Sequence, residues 1–132
     1  MTDTRYDVLG VGNAIVDVLA SCDDAFIESH ELAKDAMLLI DEARATTLYA
    51  AMPPGQEISG GSAANTLAGV ASLGGRGAYI GKVADDQLGE VFGHDLRAAG
   101  VHYETAPLKD GPATARCLIA VPPDARRAMN TF

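Results

Sequence analysis

At 132 residues, 48% of them hydrophobic and 21% charged, the chain is long enough for one domain with a real core. Ten Lys and Arg against eighteen Asp and Glu leave a formal charge of -8, which repels phosphate backbones and anionic lipid surfaces and argues against nucleic-acid and membrane partners. Two cysteines, Cys22 and Cys117, make neither a disulfide framework nor a zinc site, and His30, His94 and His102 have no ligand spacing, so no metal site is expected and free thiols suit a reducing cytoplasm.

The polar start, Met1 to Asp7, is not a signal peptide, and no apolar run approaches a membrane span. Tyr6 to Val11 is a short apolar run closed by Gly12, which predicts a buried first strand with Asn13 and Asp17 beyond its C-terminal end, the side on which open α/β sheets bind ligands. Ile15 to Ala20 and Ala36 to Ile40 are further β-prone segments. Asp41 to Ala51 predicts a helix capped by Asp41 and ended by Pro53-Pro54-Gly55. The run Gly60-Gly61-Ser62-Ala63-Ala64-Asn65 then leads into a small-residue helical stretch from Thr66 to Leu73. Two glycines present no side chain and take backbone conformations closed to other residues; Ser62 is an N-cap candidate, and the first N–H groups of a helix have no internal partners. A polar or anionic ligand group can dock there, and Asn65 adds a donor and an acceptor on roughly the face of Ser62, a combination that suits a sugar. A tight turn before a capped, Ala-rich packed helix accounts for the same residues without a ligand.

Ala78 to Val83 reads as a strand. Asp86 to Ala99 reads as an amphipathic helix, with Leu88, Val91, Phe92, Leu96 and Ala99 at helical spacing and Gly100 as its stop. Asp85 and Asp86 resemble a carboxylate pair, but their place before Gln87-Leu88-Gly89 assigns them to helix capping rather than to a general base. Val101 to Ala106 and Ala115 to Val121 are strand candidates on either side of the turn Lys109-Asp110-Gly111-Pro112. Alternating strands and helices predict an α/β fold, a mainly parallel sheet covered by helices. Gly10-Val11-Gly12 lacks the third glycine of a dinucleotide fingerprint, and Gly81-Lys82 is followed by Val83 and lacks the spacing of a P-loop.

Taken together, G-x-G-N-x-x-x-D from Gly10 to Asp17, G-G-S-A-x-N from Gly60 to Asn65, the helix ending Leu73-Gly74 and G-K-V-x-x-D-x-x-G from Gly81 to Gly89 resemble the N-terminal part of the ribokinase (PfkB) family of carbohydrate and nucleoside kinases. Asn13 with Asp17, Ser62 after the glycine pair and the closing Arg127-Ala128-Met129-Asn130-Thr131 are similar to its adenosine kinase-like branch. The chain departs from the family pattern at Ala84, where glycine is usual, and at Asp124-Ala125-Arg126-Arg127, where a D-G-E-R turn is commoner. The resemblance implies a ribokinase-like sheet with a small β lid, here over about 15–20, 36–40 and 101–121, within a single kinase domain of which 1–132 is the N-terminal part.

The resemblance also implies ATP-dependent phosphorylation of a primary hydroxyl by the full-length protein, most readily adenosine to AMP. A ribose- or fructose-type sugar kinase and a non-catalytic sugar- or nucleoside-binding fragment stand as alternatives. Asn13, Asp17, Gly60, Gly61, Ser62 and Asn65 would hold the acceptor, with Asp17 accepting vicinal ribose hydroxyls. Met37, Leu39, Cys117 and Met129 are candidates for a base pocket or lid, or are simply core. Arg116 and Arg127 either face the triphosphate or, with Arg126, lie on a solvated hairpin. ATP and Mg²⁺ are implied as cofactors, bound mainly outside these residues. No D-T-x-G-A-G-D string is present, so no catalytic base is expected among these residues and the chain alone is expected to be inactive, read as a fragment. A cytoplasmic monomer or lid-mediated homodimer is the expected form.

Overall fold

The computed structural model describes residues 4–132. The chain divides into two compact units: one runs up to Val16 and resumes over Ile58–Thr114, the other comprises Asp17–Glu57 and Ala115–Phe132.

The first unit contains β1 (Val8–Val11), α3 (Ser62–Ser72), β5 (Gly77–Ile80) and α4 (Gln87–Ala98). β1 and β5 pair in parallel, Val8 opposite Gly77 and Val11 opposite Ile80. Helix α3 lies across them, burying Ala64 and Leu67. This packing explains the G-x-G motif without a nucleotide. A Cβ on Gly10 would stand 2.7 Å from Leu67 Cδ1, and one on Gly12 would stand 2.8 Å from Ala63 Cβ, so the glycines let the helix approach the strand. Around them Tyr79, Phe92 and Tyr103 form an aromatic core with ring centroids 5.5 to 5.8 Å apart, joined by Leu88, Leu96 and Val101. Helix α4 begins as the sequence predicts, with Asp86 accepting from Gly89 N at 2.8 Å and Gly100 leaving it at φ +86. The same Asp86 carboxylate takes the Thr114 N–H and hydroxyl at 2.9 and 2.6 Å, so it is a structural cap and not a free base.

Three expectations fail in this unit. β1 is not buried: Val8, Leu9 and Val11 are 40%, 59% and 71% exposed, since among the described residues the strand pairs on one edge only. Residues 101–106 form no strand. Val101 and Tyr103 turn into the aromatic core, and His102 makes only an isolated parallel bridge to Ala78. Ser62 is the first helical residue rather than the cap, because the left-handed Gly61, at φ +90, takes the N-cap position with no side-chain bond.

The second unit holds α1 (Asp24–Ser29), β3 (Ala36–Leu39), α2 (Glu42–Ala51), β6 (Ala115–Val121) and β7 (Ala128–Thr131), while β2 (Ile15–Ser21) and β4 (Gln56–Gly60) each run from one unit into the other. The five-stranded sheet has the order β3-β7-β6-β2-β4. β3 and β7 are parallel and β6 and β7 antiparallel. α1 and β4 escape the sequence reading, α1 because six residues carry less than two helical turns and β4 because Gln56-Glu57-Ile58-Ser59 has too little apolar alternation. Asp41 caps α2, accepting from Arg44 N at 2.7 Å, and Ala45 and Leu48 are buried beneath the helix.

The loop between β6 and β7 carries the second departure from the family pattern. Ala125 closes a turn, donating its N–H to Pro122 O at 2.9 Å, and sits at φ +60 where a glycine would be unstrained. Ala125→Gly is therefore expected to stabilise the full-length protein by about 0.5 to 1 kcal/mol, the relief of left-handed strain exceeding the added chain entropy. Urea unfolding midpoints measure this, and a lower midpoint for the variant would contradict it.

Candidate functional site

In the first unit the turn from β4 into α3 is built from backbone. Gly60 is buried, Gly61 is the left-handed N-cap, and the Gly61 carbonyl accepts from Asn65 N at 2.9 Å to open the helix. A Cβ at Gly61 would lie 3.1 Å from both Asn13 O and Ile15 Cγ2, so the glycine pair is pressed against the segment that follows β1. Asn13, Ser62 and Asn65 are exposed side chains. The structure thus brings Asn13 and the Gly60 to Asn65 run together around one helix N-terminus, whose free N–H groups and partial positive charge favour oxygen-rich ligands.

In the second unit the strand registers sort the remaining candidates onto two faces. Met37 is paired with Met129 and Leu39 with Thr131; Cys117 opposes Thr131 and Ile119 opposes Met129. These side chains share one face of the sheet, since paired residues point the same way. Asp17 alternates along β2 with the buried Val16 and Val18, and its negative charge adds to the raised pKa of the Cys117 thiol. Burial is the first cause of that thiol's raised pKa; the Thr131 hydroxyl, 3.3 Å from Sγ, opposes it and Asp17 adds to it. Asp17 is half-buried and its own pKa is raised by burial alone, with no hydrogen bond or ion pair to it among the described residues. A partly desolvated carboxylate without a donor, set in an apolar surround, is unsatisfied until something supplies O–H or N–H groups. Met37 and Leu39 remain 54% and 81% exposed while Cys117 and Ile119 are buried, so this face is open at β3 and part of the core at β6.

Arg116 and Arg127 separate. Arg116 lies between Ala115 and Cys117 in the strand alternation and is buried on the opposite, helix-covered face, donating from Nη2 to Thr46 Oγ1 at 3.0 Å and stacking over the Tyr49 ring at 5.7 Å. Tyr49 in turn donates to Glu57. Such an arginine fastens β6 to α2 and stands away from the Asp17 face. Arg127 is exposed at the entry to β7, and its neighbour Arg126, not Arg127, is committed to Asp35 at 2.7 Å. Of the two phosphate-contact candidates, only Arg127 keeps an accessible guanidinium.

The residues described can bind and orient an acceptor. Among them no group of three or more His, Cys, Asp or Glu side chains could hold a metal ion. No helix among the described residues is long and apolar enough to cross a membrane. One residue that sequence reasoning passed over is Asp95 on α4, which accepts the Ser59 N–H of β4 at 2.9 Å, 36 positions away. Nothing local in the sequence marks it.

Residues 37–132 match the family described as pfkB family carbohydrate kinase. Among solved structures, adenosine kinase from Sinorhizobium meliloti is 60% identical with a TM-score of 0.83 over 98% of this chain and 39% of its own. A probable sugar kinase from Rhizobium etli CFN 42 is 56% identical with a TM-score of 0.84 over the same shares, 98% and 39%. Among curated relatives, probable fructokinase-3 of Arabidopsis thaliana is 35% identical over 68 residues, which are 52% of this chain and 20% of that protein. The chain therefore spans about two fifths of the solved kinases and one fifth of the fructokinase.

Proposed function

The chain belongs to the pfkB family of carbohydrate kinases, and from that premise we propose that the full-length protein transfers the γ-phosphoryl group of ATP to the 5′-hydroxyl of adenosine, the residues described here serving the acceptor. The observation that carries this reading is the unpartnered, half-buried Asp17 carboxylate beside a mostly apolar set of side chains. Two vicinal ribose hydroxyls would satisfy it with charge-assisted hydrogen bonds, and Met37, Leu39, Cys117 and Met129 offer the apolar contact that a purine needs and a free sugar does not. Within the first unit taken by itself, Asn13, Gly60, Gly61, Ser62 and Asn65 are read as acceptor-binding residues.

Kinases of this family use ATP and Mg²⁺, which supply the phosphoryl group and neutralise its charge in transfer. Catalysis of that kind is mostly positioning and electrostatics. This chain's share is to orient the acceptor hydroxyl and to keep water from it. Arg127 is placed in this reading as the phosphate-side contact. The protein is read as cytoplasmic, and as a monomer or a dimer through its lid strands. The 56% identical sugar kinase favours a second reading, a free sugar as acceptor.

A coupled ADP-release assay on the full-length protein with adenosine, ribose and fructose separates the two. The expected result is a kcat/KM for adenosine at least about tenfold above either sugar, the minimum that one well-filled apolar subsite confers. Equal or better use of ribose or fructose would contradict the nucleoside assignment.

A further inference from the structure

We propose that Asp95 is the positioning residue that sets the Gly60–Gly61 turn for the acceptor, an inference that rests on the acceptor site just described. β4 is an edge strand of its sheet, so its outer N–H groups have no neighbouring strand among the described residues. At Ser59, the residue before the glycine pair, that gap is closed by the Asp95 carboxylate, whose Oδ2 accepts the Ser59 N–H at 2.9 Å. The Asp95 side chain is 32% exposed, which leaves the bond partly shielded and charge-assisted.

Glycines gain their use here from backbone freedom, and the same freedom makes their position indefinite unless both ends are held. On the far side the turn is held by α3, through Asn65 N to Gly61 O at 2.9 Å, and beneath it Asn13 O leaves little room at Gly61. On the near side the anchor is Asp95. Its helix is rigidly seated: Leu88, Phe92 and Leu96 are buried, and Asp86 caps the N-terminus. His94 Nδ1 lies 3.5 Å from the other Asp95 oxygen and is 81% exposed, so it leaves the Ser59 bond undisturbed. Asp95 reaches the acceptor only through β4, which makes its effect one of geometry.

The test uses the full-length kinase with Asp95→Ala and Asp95→Asn. Asparagine retains an acceptor oxygen for the Ser59 N–H, and alanine does not. The expected result is an acceptor KM raised about tenfold in Asp95→Ala, the loss of one hydrogen bond to a charged group, with kcat and the KM for ATP nearly unchanged and with most of the acceptor KM restored in Asp95→Asn. Amide hydrogen exchange at Ser59 should accelerate in the alanine variant by at least as much. An acceptor KM at the wild-type value, or KM values for acceptor and ATP rising together, would overturn the proposal. If the wild-type enzyme turned over none of the acceptors, the functional reading would fail by itself, and unchanged protection of the Ser59 amide in Asp95→Ala would still refute the clamp.

Discussion

Asp17→Asn in the full-length kinase is expected to lower kcat/KM for the acceptor by about 10- to 150-fold, equivalent to about 1.5 to 3 kcal/mol of lost charge-assisted hydrogen bonding, while leaving the KM for ATP near its wild-type value. The same variant should be more stable than the parent at neutral pH. Burial raises the folded-state pKa of Asp17 above the ordinary value of 3.8, so the folded protein holds that proton more tightly than the unfolded chain. The stability tied to this group is fully present below 3.8 and is lost as pH rises through the higher folded value. Above that window the ionised carboxylate weakens the fold, and the neutral amide does not. The stability advantage of Asp17→Asn should therefore shrink as pH falls toward 3.8. A residue kept only for structure would lose stability on mutation, so thermal unfolding from pH 4 to pH 8 together with acceptor kinetics separates the two roles. Unchanged acceptor kinetics would remove Asp17 from the site.

Gly61→Val is expected to act through geometry rather than lost chemistry. The residue stands at φ +90, closed to a β-branched side chain, and its Cβ would press on Asn13 O and Ile15 Cγ2 at 3.1 Å. Strain of this kind costs about 1 to 3 kcal/mol, within the reserve of a typical domain, so the protein should fold with a lower unfolding midpoint. Acceptor affinity should fall further than stability, because relief of the clash displaces the start of α3 and the valine fills the space beside the backbone. Calorimetry showing wild-type acceptor affinity would reduce the glycine pair to a turn.

What the sequence made legible was local. Asp41 and Asp86 announce their helices because a cap and its N–H partners lie three residues apart, and the β6 strand over 115–121 follows from an apolar run broken by Arg116 alone. The family resemblance supplied the α/β architecture. What stayed hidden depended on distant partners. Residues 101–106 have strand composition but are claimed by the Tyr79–Phe92 core, and β1 looks buried by composition yet is exposed along one edge. Adjacent positions 116 and 117 must face opposite ways on a strand, yet only the position of α2 decides that Arg116 is the one beneath the helix. Asp95 lies 36 residues from the strand it anchors, a spacing no local pattern encodes.

Whether Asp17 receives the vicinal hydroxyls of the acceptor is tested most directly by comparing adenosine with 2′,3′-dideoxyadenosine on wild-type and Asp17→Asn full-length enzyme. The wild-type enzyme should prefer adenosine by about 10- to 150-fold in kcat/KM, the worth of the hydrogen bonds the analogue cannot make. In Asp17→Asn that preference should fall by about tenfold, because the remaining amide oxygen accepts hydrogen bonds without the negative charge that strengthens them. An undiminished preference in the variant would show that the hydroxyls are read elsewhere, and the account of Asp17 would be wrong.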